Sequence, residues 1–282
     1  MKKRVVVYVV VHAILLFASA VVLYPVLWVV RLAVSPSGRL TEAGALPIPR
    51  EVSLESFESF VFAEDFYGRP IFFIQLGNSL LVSGAATIVG LIFALSAAYG
   101  FSRFAFPLKN VGMRTMLVSQ MFPAVVTAVP LLFLLDVLGL FGTTAGLVLI
   151  YATTSVPFSI WMLKGYFDVI PRDLDESARL DGASSWIIFT RILLPLVRPG
   201  IGLTALFSFM SAYNEFIMAS VFLDDVTRYT LPVTLQQSVG GFDPSWGLFA
   251  AGSLLLSLPV VAVFFFVQRQ MVEGMTAGAV KG

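Results

Sequence analysis

Apolar residues along this chain run in long unbroken stretches, with the charged residues gathered between them. Ile71–Ser102, Thr115–Leu135, Val137–Leu163 and Pro244–Gln268 carry no charge, Pro199–Leu223 carries only Glu215, and Val5–Val30 has His12 as its one titratable base. Each stretch exceeds the roughly 18–20 apolar residues that cross a hydrocarbon core. Lipid offers no partners to backbone amides, so stretches of this kind are predicted to be helices. The pattern predicts an all-α, polytopic membrane protein forming one transmembrane domain over residues 1–282. Its six spans fall at about 5–34, 71–102, 114–135, 143–164, 192–223 and 246–269.

The first span has the flanks of a signal peptide, since Lys2, Lys3 and Arg4 precede it. Its apolar run is much longer than the roughly 7–15 residues of a signal core and ends without a small-residue cleavage site, so it is expected to be retained. Tyr24 and Trp28 near its far end suit a membrane interface. With six spans, both termini share one side with the loops after spans two and four. That side then holds every lysine and arginine of the 18 except Arg31, Arg39, Arg50, Arg69 and Arg228. The excess of basic residues places the termini in the cytoplasm.

The loops differ in character. Residues 35–70 form a long outer loop with Pro36, Pro47 and Pro49, and its Leu54, Phe57 and Val61 suit a short helix lying on the membrane face. A tight outer turn is expected around Gly139 and Gly142. A second outer loop, about 224–245, contains Gln236, Gln237, Gly240, Gly241, Phe242 and Asp243, a polar, glycine-bearing segment suited either to plain connection or to contact with another protein. On the cytoplasmic side lie a charged loop at about 168–191 and a tail at about 270–282.

Composition narrows the chemistry. Hydrophobic residues make up 58% and charged residues 12% of the chain, against about a quarter charged in soluble domains. Without cysteine there is no disulfide or thiolate site. One histidine excludes paired-histidine metal sites, and no phosphate-binding glycine-lysine loop is present, so no metal or nucleotide is expected on this chain. The net charge of +1 leaves no footprint for nucleic acid. Glu215 is the one acid within a span, and an ionisable group there is a functional candidate. Asn214, Tyr213, Tyr151 and Gln120 add hydrogen bonds and aromatic faces to a candidate substrate path. The alternative for Glu215 is a structural pairing with a polar group on a neighbouring subunit. A secondary transporter would need several intramembrane carboxylates, and a hydrolase would need a base beside its serine.

The charged loop stands out between two spans. Pro171 suits a first helical turn, and Asp173, Asp175 and Glu176 crowd the positive end of the dipole. Gly182 after Asp181 is placed as a left-handed stop. A second short helix is expected to run from there into Pro195.

The spacing Glu176-Ser177-Ala178, three residues, Gly182, nine residues, Ile192-x-Leu194-Pro195 resembles the EAA loop of permease subunits of bacterial ATP-binding-cassette importers, with Ser177 departing from the pattern's second letter. Asn78-Ser79-Leu80 opening the second span is similar to such permeases. Ala212-Tyr213-Asn214-Glu215-Phe216 and the tail Gln268–Gly282 are similar to the sugar-importing branch, around the smaller maltose-transporter permease and its trehalose counterpart. The resemblance covers essentially the whole chain. It implies a multi-pass subunit of the bacterial cytoplasmic (inner) membrane, embedded in lipid. The chain would form half of a pore with a second, different permease and alternate access for a di- or oligosaccharide. An importer of a non-sugar solute is the alternative. Two cytoplasmic ATPase subunits would bind ATP and magnesium, each holding one permease helix. Here Glu176 would anchor the helix and Leu174 and Leu180 would supply apolar contact. Ala178 and Gly182 would allow close approach beside Ser177, Asp181 and Ala183. The tail with Gly274, Gly278, Lys281 and Gly282 would lie along the ATPase pair, and the Gln236–Asp243 loop would meet an extracytoplasmic sugar-binding protein.

Overall fold

The computed structural model describes residues 2–36, 46–49, 51–241 and 244–279, of which 2–3, 124–125 and 269–279 are described by backbone alone. All regular structure among them is helical, apart from one isolated bridge between Glu64 and Pro70. In chain order the helices are α1 (Lys2–Ala33), α2 (Glu55–Val61), α3 (Ile71–Arg103), α4 (Lys109–Ser119), α5 (Ala124–Val137), α6 (Thr144–Val169) and α7 (Asp173–Leu180). Then come α8 (Ser185–Ile187), a π-helical segment (Ile188–Leu193), α9 (Leu194–Leu196), α10 (Arg198–Tyr213), α11 (Ile217–Phe222), α12 (Leu231–Gln237) and α13 (Trp246–Ala279).

Among the described residues, four helices are long and apolar enough to cross a membrane: Arg4–Ala33, Ile71–Arg103, Thr144–Val169 and Trp246–Gln268. A fifth span results if Ser185–Leu196 and Arg198–Tyr213 count as one helix bent by 76°. The stretch expected as a third span is divided into α4 and α5. Pro123 is the cause: it caps α5 with an extended ψ of 136°, and it disfavours helical geometry at the preceding Phe122. The fifth stretch is divided because Pro195 and Pro199 remove backbone donors on either side of Val197. It breaks again at Asn214–Phe216.

The chain forms two compact units. One comprises Met1–Phe73 and Thr234–Leu258, the other Ile74–Val233 and Pro259–Gly282. In the first, the last turn of α1 supplies Leu32 and Ala33 to a core shared with Ala250 and Ala251 of α13, with Trp28, Phe57 and Trp246 around it. From Val5 to Leu27 α1 is almost wholly apolar and exposed, as suits a helix solvated by lipid.

The second unit has two cores along α3 and α6. Val82 and Ala86 of α3, Leu147, Ile150 and Tyr151 of α6, and Met218, Ala219 and Phe222 of α11 make one. Ala94, Ala98 and Tyr99 of α3 with Leu163 and Phe167 of α6 make the other, joined by Ala178, Phe189 and Leu193. Polar side chains of α3 hold the segment after α11. Gln75 Nε2 donates to Val226 O at 3.0 Å, and Asn78 Nδ2 to Thr227 O at 2.8 Å and Tyr229 O at 3.0 Å. Ser79 Oγ accepts from Leu231 N at 2.8 Å.

Gly146 is where the first core is tightest. A Cβ there would lie 2.4 Å from Leu140 O and 2.6 Å from the Phe222 ring. Gly146→Ala is expected to destabilise the chain by about 1–3 kcal/mol, since backbone cannot yield as a side chain does. Thermal unfolding in detergent measures this; an unchanged midpoint would show that the turn before α6 relaxes freely.

Candidate functional site

The most polar helix in the second unit is α7, and its sequence divides it into two faces. Three acids fill its first turn. At its other end Gly182 takes φ +84°. Gly182 N donates to Arg179 O at 3.0 Å and Ala183 N to Ala178 O at 2.9 Å, the paired bonds that close a helix through a left-handed glycine. Ser184 then caps α8 by accepting from Ile187 N.

The inner face is fastened to the ends of α3 and α6. Arg103 Nε lies 2.7 Å from Asp175 Oδ2, with side-chain exposures of 5% and 12%. The same guanidinium donates to Ile170 O at 3.1 Å. Arg172 donates to Ser102 O at 3.3 Å, and Ser102 Oγ to Asp168 Oδ1 at 2.7 Å. Lys164 pairs with the other oxygen of Asp168. Beside these polar ties, the Tyr99 ring packs at a tilt against Phe189, with ring centroids 4.8 Å apart, and against Phe167 at 6.1 Å. Two membrane helices and α7 are thereby locked into one block.

The outer face is open. Glu176, Ser177, Asp181 and Gly182 are exposed, as are Leu174 and Leu180, the last at 90%. A Cβ on Gly182 would meet nothing within 4 Å. Ser177 Oγ donates to Asp173 O at 2.7 Å, within its own helix. The expected anchoring role divides differently from the sequence reading. Glu176 makes no side-chain bond among the described residues, whereas its neighbour Asp175 holds the helix down. Ala178, expected to face a partner, turns inward and is buried with Ala183 packed beside it. Its small size lets α7 lie close to the membrane helices.

Of the expected substrate path, the structure joins Tyr151 and Glu215 and leaves Gln120 apart from them. Glu215 Oε2 accepts from Tyr151 Oη at 2.6 Å and Ala219 N at 3.3 Å, and its Oε1 accepts from Met218 N at 2.9 Å. The carboxylate thus caps α11 and ties it to α6. Tyr213 is 1% exposed and stacks on Phe209, its hydroxyl without a hydrogen-bond partner among the described residues. Asn214 is exposed at the end of α10. Gln120 stands apart at the α4–α5 break, where Nε2 donates to Thr154 O at 3.0 Å. An open cleft of about 690 Å3 surrounds it. Glu215→Ala is expected to lower the unfolding midpoint, leaving the Tyr151 hydroxyl and two helix amides unpaired at about 1–3 kcal/mol. Glu215→Gln, which keeps an acceptor, should lose less. Equal losses would assign the effect to charge and not to capping.

In the second outer loop, Gln236 and Gln237 end α12 with exposed side chains, and Gly240 and Gly241 form the exposed turn after it. Ser245 N bonds Ser238 O at 3.0 Å and closes the loop base. Phe242 and Asp243 lie outside the described residues, as do Lys281 and Gly282 of the tail. Gly274 and Gly278 fall within α13, which continues through the expected start of the tail.

Asp175 and the Arg103 contact were not legible from spacing alone. The only local signal was the run of three acids, of which one had to face inward.

The described residues are all-helical, with several membrane-length helices and one short polar helix tied to their ends, the architecture of an integral membrane protein. Residues 86–276 match the model for the binding-protein-dependent transport system inner membrane component, and the chain belongs to that family. It is 36% identical to the maltose/maltodextrin transport system permease protein MalG of Escherichia coli K12, over 96% of this chain and 95% of that one. Its identity to the galactooligosaccharides transport system permease protein GanQ of Bacillus subtilis is 32%, over 96% and 94%. A chain of the bacterial ABC transporter that imports the acidic polysaccharide alginate has the same fold. It superimposes with a TM-score of 0.74 at 21% identity, over 93% of this chain and 96% of that one.

Proposed function

We propose that the chain is one of two different permease subunits in an ATP-driven, binding-protein-dependent importer of a di- or oligosaccharide. The relatives named for maltose, maltodextrin and galactooligosaccharides support the substrate class. We count α4 with α5 as a span alongside the bent pair, which makes six. The excess of basic residues then sets both termini and α7 on the cytoplasmic side.

The observation that carries the mechanism is the two-faced α7. Its exposed Leu174, Glu176, Leu180 and Gly182 form the surface that a cytoplasmic ATPase grips. Its buried Asp175 and Ala178 join it to α3 and α6. ATP and magnesium bind the two ATPase subunits, and their closure displaces α7. Because α7 is fastened to the membrane helices, the displacement becomes a change of access in the pore shared with the partner permease. This chain catalyses no step itself. The tail around Gly274 and Gly278 contributes to the ATPase contact, and the Gln236–Gly241 segment receives the extracytoplasmic binding protein.

The test is assembly and transport. The chain should copurify with an ATPase and a second permease, and proteoliposomes of the complex should take up sugar only with ATP and the binding protein. Isolation as an active, ion-coupled single-chain transporter would overturn the reading. A ligand screen on the cognate binding protein identifies the sugar.

A further inference from the structure

Pro130 of α5 and Pro157 of α6 sit inside apolar helices of the second unit where a straight helix would serve hydropathy as well. Each lacks an N–H, so the carbonyl four residues earlier loses its regular helical donor. Those carbonyls belong to Val126 and Thr153. All four residues, both prolines and both partners, line the same cleft of about 690 Å3. The α4–α5 break contributes Gln120 to it, and α6 adds Thr154.

A carbonyl without a donor is costly in hydrocarbon, and non-helical backbone at membrane depth is tolerated where it lines a hydrated cavity. The cleft is therefore built for water or for a ligand that replaces water. Its polar inventory is biased toward acceptors. Gln120 gives one of its two amide N–H groups to Thr154 O, leaving Oε1 and a single N–H. The Thr153 and Thr154 hydroxyls donate to Leu149 O and Tyr151 O, leaving their lone pairs. No charged residue lines the cleft, and the Phe122 ring forms part of its wall. Acceptors in excess, neutrality and an aromatic face match a neutral molecule rich in hydroxyl donors. Its volume falls in the range of small-molecule sites, about 300–1,000 Å3.

We propose that the cleft between the α4–α5 break and α6 is a saccharide subsite on this subunit, occupied as the sugar crosses the membrane. The proposal rests on the importer reading above and deepens it. It assigns Gln120, Thr153 and Thr154 as ligand contacts, and it leaves Glu215 and Tyr151 to structure.

The chain has no cysteine, so a single introduced thiol reports without background. Thr153→Cys, and separately Gln120→Cys, would be made in the assembled transporter and reconstituted with its binding protein. Accumulation of maltotriose is first verified in the same vesicles. A charged, water-soluble methanethiosulfonate should label both positions. Maltotriose with ATP, at ten times the concentration giving half-maximal uptake, should slow labelling roughly tenfold by occupancy. Labelling that maltotriose leaves unchanged would overturn the subsite. Failure of both thiols to react would also overturn it and would assign the cleft to lipid or to side chains of the partner permease. Absence of maltotriose uptake before any substitution is a different failure, that of the importer reading for this sugar.

Discussion

Asp175→Leu is expected to separate ATP hydrolysis from sugar uptake while leaving the chain inserted in the membrane. The substitution removes the carboxylate 2.7 Å from Arg103 Nε and leaves a guanidinium that is 5% exposed without its counter-ion. Removing one partner of a buried ion pair costs about 3–5 kcal/mol, because the remaining charge stays desolvated. The cost falls on one contact, the seam between α7 and the end of α3. Helix α7 should still form, since Asp173, Glu176 and its glycine stop are local. What weakens is its attachment, so ATPase closure moves α7 without moving the spans. The readout is sugar transported per ATP hydrolysed, with the unfolding midpoint alongside. Arg103→Met combined with Asp175→Leu replaces the pair by apolar volume and should recover much of the midpoint. A single Asp175→Leu variant with normal midpoint and normal coupling would remove the seam from the mechanism.

Gly182→Asp should act on the opposite face. At φ +84° a side chain strains the backbone, by roughly 1–2 kcal/mol. Beyond its chain neighbours, nothing among the described residues lies within 4 Å of the new Cβ, so the fold accommodates it. Gly182 is exposed, on the face that the proposed ATPase contact would use. The expected result is a stable, inserted chain with weakened ATPase association and little uptake. Gly182→Asn separates strain from contact, because asparagine tolerates the left-handed region. It should lose less stability than aspartate while still hindering association. Normal uptake by Gly182→Asp would show that no partner approaches this point.

Hydropathy alone located α1, α3, α6 and α13 to within a few residues at their membrane-spanning parts, because an uninterrupted apolar run admits only one backbone solution in lipid. It could not locate the breaks at Gln120–Pro123, Val197 and Asn214–Phe216. Transfer hydropathy scores side chains, and those breaks arise from missing amide donors and from a carboxylate that caps a new helix. The glycine stop at Gly182 was legible because its chemistry is local. Asp175 was not distinguishable from Asp173 or Glu176, since its partner Arg103 is remote in sequence. Glu215 and Tyr151 were each singled out, yet their union was not. A contact between a helix and a break remote in sequence leaves no spacing to read.

The bend between Ser185–Leu196 and Arg198–Tyr213 has a mechanical meaning of its own. A straight rod carries thrust only along its axis. One turned through 76° at Val197 behaves as a crank: a push on its short arm arrives at the long arm as rotation. The short arm begins directly after α7, and the long arm ends at Tyr213, beside the Glu215-capped break. Under the proposed topology, a small displacement at α7 would reach the membrane as a swing of α10.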